Sequence, residues 1–221
     1  MRSKKVATES CTTTLAHSGL GALRVSWNDP YASKRLGATM APYVFPGMSI
    51  VCVGSANVLG DSVGPRVGTM LAKLISCGLK ASVVGTMQNP VHANNVHCYL
   101  HTEFHLAVDA SLGKHIGRLV FKPWPLSPGT GVSKELPLMG NIHLTATTGS
   151  CYDDLLTVPL EQVCEMSAII TNAISYALAV HDSKWRMRIS GEIDETYEIS
   201  EVAAGGTAGG AAEGRCTDVR A

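Results

Sequence analysis

Short apolar runs alternate along the middle of the chain with longer segments in which apolar residues recur every three or four positions. Short runs of this kind, bounded by polar residues or glycine, predict β-strands over residues 50–54, 81–84, 104–108, 116–121 and 142–146. The longer segments have the period of an α-helix and predict helices over residues 61–77, 91–101 and 158–181. Gly78 is the expected stop of the first of these helices.

The alternation of strands and helices predicts an α/β fold, a three-layer α/β/α sandwich with a mainly parallel sheet. The run at residues 50–54 is apolar at successive positions, which suits a strand that is covered on both faces. In sheets of this kind, ligands bind just beyond the carboxyl ends of the strands. The residues that follow positions 54, 84, 108 and 146 are therefore candidate site residues.

Both ends of the chain differ from its middle. Residues 1–28 are rich in Ser and Thr, and residues 189–221 contain repeated Gly and Ala, so neither segment has much apolar surface to bury. A chain of 221 residues, 45% of them apolar, can form one sizeable core. We therefore expect one domain over residues 29–188 between two flexible segments.

Charge and cysteine content restrict the partners and the compartment. Eighteen basic residues balance eighteen acidic ones, which leaves no overall positive charge to attract nucleic acid. The apolar stretches are too short or too interrupted to cross a membrane, and no signal-peptide core follows the N-terminus. The seven cysteines form no CxxC pair, which fits reduced thiols. We expect a cytoplasmic protein that binds neither nucleic acid nor membranes.

Two aspartates are predicted to lie at the same edge of the sheet. Asp61 closes the loop after the first strand, and Asp109 directly follows the strand at residues 104–108. Two adjacent carboxyl groups do not both ionise easily, so one becomes an acid while the other stays charged and can activate water. Each residue also has a structural interpretation, Asp61 as a helix N-cap and Asp109 as a turn residue.

Four ordered segments resemble the YyaC-type sporulation proteins, which are relatives of the spore germination protease. The segments are residues 52–68 (CVGSANVLGDSVGPRVG), 85–93 (GTMQNPVHA), 108–113 (VDASLG) and 127–137 (SPGTGVSKELP), the last leading into 140–143 (GNIH). The resemblance implies a phosphorylase/hydrolase-like fold of the HybD type and a protease-like function in sporulating bacteria. In the germination protease, the proposed catalytic aspartates stand at the positions of Asp61 and Asp109.

The resemblance also suggests residues that contact a protein or peptide substrate. His92 follows the second predicted strand, at the carboxyl edge of the sheet where ligands are expected, although it fits a structural role at the start of a helix equally well. Gly129 and Gly131 can expose backbone groups to an extended peptide, or simply form a connecting turn. Asn57 is the fourth candidate; Ala56 and Asn57 stand where YyaC-type proteins usually have Asp-Arg.

Metal use and turnover stay open. Hydrogenase-maturation peptidases of the same fold hold a metal with carboxylates and a histidine, so His143 could join Asp61 and Asp109 around a divalent metal. A single histidine in an apolar strand is more often a packed core residue, and we expect no cofactor. The leading hypothesis is a peptidase acting on small acid-soluble spore proteins. The sequence is compatible with a homo-oligomer. The alternative is a non-catalytic sporulation protein that binds or regulates through the same pocket.

Overall fold

The computed structural model describes residues 22–99, 104–128 and 137–181. Its strands are β1 (Leu23–Ser26), β2 (Ser49–Cys52), β3 (Ser82–Val84), β4 (His105–Leu112), β5 (Arg118–Lys122) and β6 (Ile142–Gly149). Its α-helices are α1 (Ala32–Met40), α2 (Val63–Ser76), α3 (Asp154–Thr157) and α4 (Leu160–His181). Short 3-10 helices cover Ala41–Tyr43, Leu59–Ser62 and Val96–Tyr99.

The six strands form one sheet in the order β1-β5-β6-β4-β2-β3. Strands β3, β2, β4 and β6 run parallel to one another, whereas β5 is antiparallel to both β6 and β1. The predicted α/β class with a mainly parallel sheet is confirmed. The carboxyl ends of the parallel strands therefore meet at one edge of the sheet.

Alternate side chains of the sheet enter two different cores, because successive residues of a strand face opposite sides. Ile50 and Cys52 of β2 lie in the larger core, which contains the apolar residues of α1, α2 and α4. Val51 and Val53 lie in a smaller core with Val91, beside the 3-10 helix Val96–Tyr99. We call these sides the helix-covered face and the loop-covered face.

Two glycines let α2 lie unusually close to the strand ends. A Cβ atom on Gly64 would lie 1.9 Å from the carbonyl oxygen of Val53, and one on Gly68 would lie 2.0 Å from that of Gly85. No larger residue fits at either position, so the helix rests on the carboxyl ends of β2 and β3. The segment that joins β2 to α2, which contains Asp61, is thereby held at the carboxyl edge of the sheet.

The predicted helix over residues 91–101 is wrong in its described part, where only Val96–Tyr99 is helical and has the 3-10 form. Val91 instead forms an isolated parallel bridge with Val53. The side chain of Asn95 accepts the N–H of His92 and donates to the carbonyl of Pro90, so these bonds close a local turn in place of a regular helix. Residues 100–103 lie outside the described residues.

Strand bounds also differ from prediction at β4. The strand expected over residues 104–108 continues to Leu112, because Asp109 and Ser111 alternate with Ala110 and Leu112 and so keep the period of a strand with one polar face. The prediction that Asp109 directly follows its strand is therefore wrong, since Asp109 lies within β4. The first strand of the sheet, β1, starts at Leu23, before residue 29, where the sequence places the start of the domain.

Helix α4 is long and apolar enough to span a membrane by length and composition alone. Most of its apolar side chains, among them Met166, Ile170 and Ile174, are buried in the larger core against the sheet, α1 and α2. These apolar side chains of α4 therefore belong to the core of the domain.

Candidate active site

Asp109 lies on the loop-covered face of β4, where its side chain is 8% exposed. The register places it opposite Thr145 of β6, and one of its carboxyl oxygens accepts the N–H of Ala110 at 2.9 Å. A buried carboxyl group inside a sheet is rare unless it has a partner or a function. Asp109 is therefore the first element of a candidate site.

Asp61 lies in the 3-10 helix Leu59–Ser62, in the connection from β2 to α2. The chain turns sharply at Gly54, which has a φ of +141° and lies against the carbonyl of Asp61. This turn brings the next N–H, that of Ser55, to 2.6 Å from a carboxyl oxygen of Asp61. The N-cap position of α2 belongs to Ser62, so Asp61 does not have the capping role that its sequence position allows.

The two carboxyl groups interact electrostatically. Burial raises the pKa of Asp109 well above its usual range, and the negative charge of Asp61 raises it further. The hydrogen bond from Ala110 acts in the opposite direction but does not cancel these effects. The structure thus brings together the two aspartates that the sequence singles out. A carboxyl group whose pKa is raised, next to a second carboxyl group that interacts with it, is an arrangement suited to general acid and general base chemistry.

Hydroxyl groups extend the polar surface beyond Asp109. The hydroxyls of Ser111 and Thr147 lie 3.2 Å apart across β4 and β6, on the same face as Asp109 and Thr145. Sequence reasoning did not identify these residues. The available signal was the alternation in β6, where His143, Thr145 and Thr147 are separated by apolar residues. Such a pattern indicates one polar face at the carboxyl end of a central strand.

His143 has the environment of a packed core histidine. It is 4% exposed, its Nδ1 lies 2.7 Å from the carbonyl oxygen of Trp124, and the two rings meet edge to face at 6.4 Å. Burial is the main cause that lowers its pKa. Within residues 22–99, 104–128 and 137–181, no three His, Cys, Asp or Glu side chains converge as metal ligands. The alternative metal set of His143 with Asp61 and Asp109 is therefore not assembled.

The remaining candidates differ in how far the structure describes them. His92 lies near the site, because the N–H of Gly54 donates to the carbonyl of the preceding Val91, but its Nδ1 accepts the N–H of Asn94 at 3.3 Å within its own turn. Asn57 is exposed in the loop after β2. Gly129 and Gly131 lie outside the described residues.

The loop that contains these two glycines has a defined base. Leu126 and Met139 exchange backbone hydrogen bonds of 2.7 and 2.9 Å, and both side chains lie in the smaller core. The loop therefore begins and ends on the loop-covered face, the face on which Asp109 lies.

Fold and site together define an α/β domain with a pair of interacting carboxyl groups at the carboxyl edge of its parallel strands. The chain belongs to the family described as "Protein of unknown function (DUF1256)", which matches residues 24–173 and includes both aspartates. It is also similar to the uncharacterized protein YyaC of Bacillus subtilis (strain 168), with 31% identity over 168 residues that cover 68% of this chain and 81% of YyaC. The expected YyaC-type family is thus confirmed, while the relation to the germination protease and to the HybD-type peptidases stays a prediction.

Proposed function

We propose that this protein is a peptidase that hydrolyses peptide bonds with the pair Asp61 and Asp109. The observation that supports the proposal most strongly is the buried carboxyl group of Asp109, whose pKa is raised by burial and by the charge of Asp61. A structural aspartate gains nothing from such an environment, because ionisation there is unfavourable. An acid that must hold a proton near neutral pH requires it.

In the proposed reaction, the carboxylate of Asp61 takes a proton from a water molecule as the oxygen of that water attacks the carbonyl carbon of the substrate. Asp109 donates its proton to the carbonyl oxygen, which becomes a hydroxyl group of the tetrahedral intermediate. When the C–N bond breaks, the amine leaves with the proton that Asp61 took, and Asp109 recovers its own. The hydrogen bond from the N–H of Ser55 holds Asp61 in place during these steps.

The proposed substrate rests on the resemblance to the germination protease. We propose small acid-soluble spore proteins, or another protein of the sporulating cell, as the substrate, met in the cytoplasm. Asn57 and His92, near the turn after β2, and the loop with Gly129 and Gly131 are the proposed contacts to the peptide backbone. A non-catalytic binding protein is the second candidate. Its support is the pair Ala56 and Asn57, which replaces the Asp-Arg usual in YyaC-type proteins.

The test is cleavage of an unfolded protein substrate by the purified full chain, in the presence and absence of a chelator. If the aspartate pair acts directly on water, Asp61→Asn and Asp109→Asn each lower the rate by about a hundredfold or more. Chelation leaves the rate unchanged. Asp153→Asn is the matched control, because Asp153 is an exposed aspartate outside the site.

Three results would contradict the proposal. Equal cleavage by the Asp61→Asn/Asp109→Asn double variant would remove the pair from the mechanism. Loss of cleavage on chelation, with His143→Ala as damaging as either aspartate change, would indicate metal-dependent hydrolysis instead. Retention of the substrate in a pull-down without turnover in any variant would support the binding protein.

A further inference from the structure

A pocket lined by basic side chains lies at the β1 and β5 side of the same sheet as the candidate active site. It has a volume of about 500 Å³ and is formed where β1 pairs with β5 and where the chain turns from β4 into β5. Its polar lining consists of Arg24 and Ser26 from β1, Lys114 and His115 from the turn, and Arg118 from β5. We call these five residues the basic pocket.

The positive charges of the basic pocket have no acidic partner within the described part of the chain. The ion pair between Arg35 and Asp29 lies outside the pocket. A further cation, Lys122, lies near Arg24. Burial is the main cause that lowers the pKa of Lys122, and the positive charge of Arg24 is the second. In a chain with a formal net charge of zero, such a cluster is a local concentration of charge that attracts an anion.

The basic pocket and the aspartate pair share one face and one edge of the sheet. Lys122 pairs with His143, which lies on the loop-covered face, and Arg118 lies four residues before Lys122 and so on the same face. The N–H of Gly117 donates to the carbonyl of Thr147, which sets Arg118 beside the carboxyl end of β6. Thr147 lies on β6, the strand between β5 and β4, and its hydroxyl is 3.2 Å from that of Ser111 on β4.

Strand geometry gives the distance between the two sites. Neighbouring strands lie about 4.8 Å apart, so β5 is about 10 Å from β4, and an extended peptide advances about 3.3 Å per residue. With the offset along the strands included, a peptide crossing the sheet would span the gap with about three to five residues.

We infer that the basic pocket binds acidic side chains of the substrate, about three to five residues from the peptide bond that lies at Asp61 and Asp109. The inference rests on the proposed peptidase function. Arginine suits this role because its guanidinium group binds a carboxylate through two parallel hydrogen bonds. The hydroxyls of Ser111 and Thr147 offer hydrogen bonds to the chain between the two sites.

The first test measures binding alone, by fluorescence anisotropy of a labelled Gly/Ser peptide that contains four glutamates. The wild-type full chain binds this peptide, and its analogue with four glutamines binds at least about tenfold more weakly. Arg24→Gln/Arg118→Gln weakens binding of the acidic peptide by about tenfold or more. Lys34→Gln/Lys73→Gln, with the same change in charge at exposed helix positions, leaves binding unchanged.

Other outcomes overturn the inference. They are equal binding of the glutamine peptide, equal binding of the acidic peptide by the arginine double variant, and binding of inorganic phosphate by a pocket that does not bind the acidic peptide. If the arginine double variant does not fold, Lys114→Gln replaces it in the test, because Lys114 is exposed in a turn. The Lys114→Gln change must also weaken binding of the acidic peptide.

The second test places one glutamate at successive positions of a cleavable peptide. Cleavage by the wild type is fastest when the glutamate lies about three to five residues from the cleaved bond, and this preference disappears in Arg24→Gln/Arg118→Gln. Cleavage that ignores the glutamate overturns the pocket but leaves the peptidase proposal intact. Binding of the acidic peptide with no cleavage of any peptide overturns the peptidase proposal but leaves the binding of acidic side chains by the pocket intact.

Discussion

The negative charge of Asp61 acts on the buried carboxyl group of Asp109 and raises its pKa, although the two residues belong to different segments of the chain. Asp61 comes from the connection between β2 and α2, and Asp109 from the middle of β4. Their interaction depends on the parallel pairing of β2 with β4 and on the turn at Gly54. The site is therefore a product of the sheet topology.

Asp109→Asn should make the protein more stable at neutral and alkaline pH. The pKa of Asp109 is higher in the folded than in the unfolded state, so the stability that its neutral form provides is fully present below about pH 4 and is lost as the pH rises through the folded-state pKa. An asparagine does not ionise. Above that pKa, the variant should gain about 1 to 2 kcal/mol in free energy of unfolding.

Urea unfolding over a series of pH values measures this difference. The gain should shrink in acid, and the exposed control Asp153→Asn should show no such dependence on pH. A wild type that is as stable as Asp109→Asn at alkaline pH would show that burial of the carboxyl group has no cost.

Gly68→Ala should destabilise the fold even though alanine is the better helix former by about 1 kcal/mol. The added methyl group would lie 2.0 Å from the carbonyl oxygen of Gly85, so α2 would have to move away from the strand ends. A loss of about 2 to 4 kcal/mol in free energy of unfolding is expected.

The matched control for the alanine change is Gly113→Ala, since a Cβ there would meet the side chain of Thr147 at an ordinary 3.5 Å. Chemical denaturation of both variants makes the comparison. If Gly68→Ala were as stable as Gly113→Ala, the close approach of α2 to the sheet would be refuted.

Cysteine reactivity tests the packing of β2. Cys52 is fully buried, and burial raises the pKa of its thiol, whereas Cys77, Cys98, Cys151 and Cys164 are exposed. Brief treatment of the folded protein with iodoacetamide should alkylate these four thiols and spare Cys52, because only an accessible thiolate reacts. Mass spectrometry of peptides identifies the modified sites, and unfolding in urea should expose Cys52. Equal rates at Cys52 and Cys151 in the folded protein would contradict the buried position.

Local periodicity was enough to predict the elements whose packing agrees with it. Residues 50–54 and 61–77 correspond to β2 and α2, because one is apolar on both faces and the other has an apolar stripe. The helix expected over residues 91–101 failed because the side chain of Asn95 competes for backbone groups there. Helical spacing alone does not show that competition.

The site could be predicted only in part, for a related reason. Asp109 was found from its place after an apolar run, although β4 continues beyond it. The bond from Ser55 to Asp61 depends on the turn at Gly54, and the placement of Arg24 and Arg118 in one pocket depends on pairing between β1 and β5. Contacts of this kind are set by tertiary pairing, for which a single sequence contains no periodic signal.

The most direct test of the aspartate pair is a carbon-13 NMR titration of the Asp109 carboxyl group in the wild type and in Asp61→Asn. We predict that Asp109 stays protonated well above the usual aspartate range of about 4 in the wild type. In Asp61→Asn, its pKa should fall towards that range but stay above it, because one cause of the increase is removed and burial remains. Ordinary titration of Asp109 in the wild type, or an unchanged pKa in Asp61→Asn, would contradict the account.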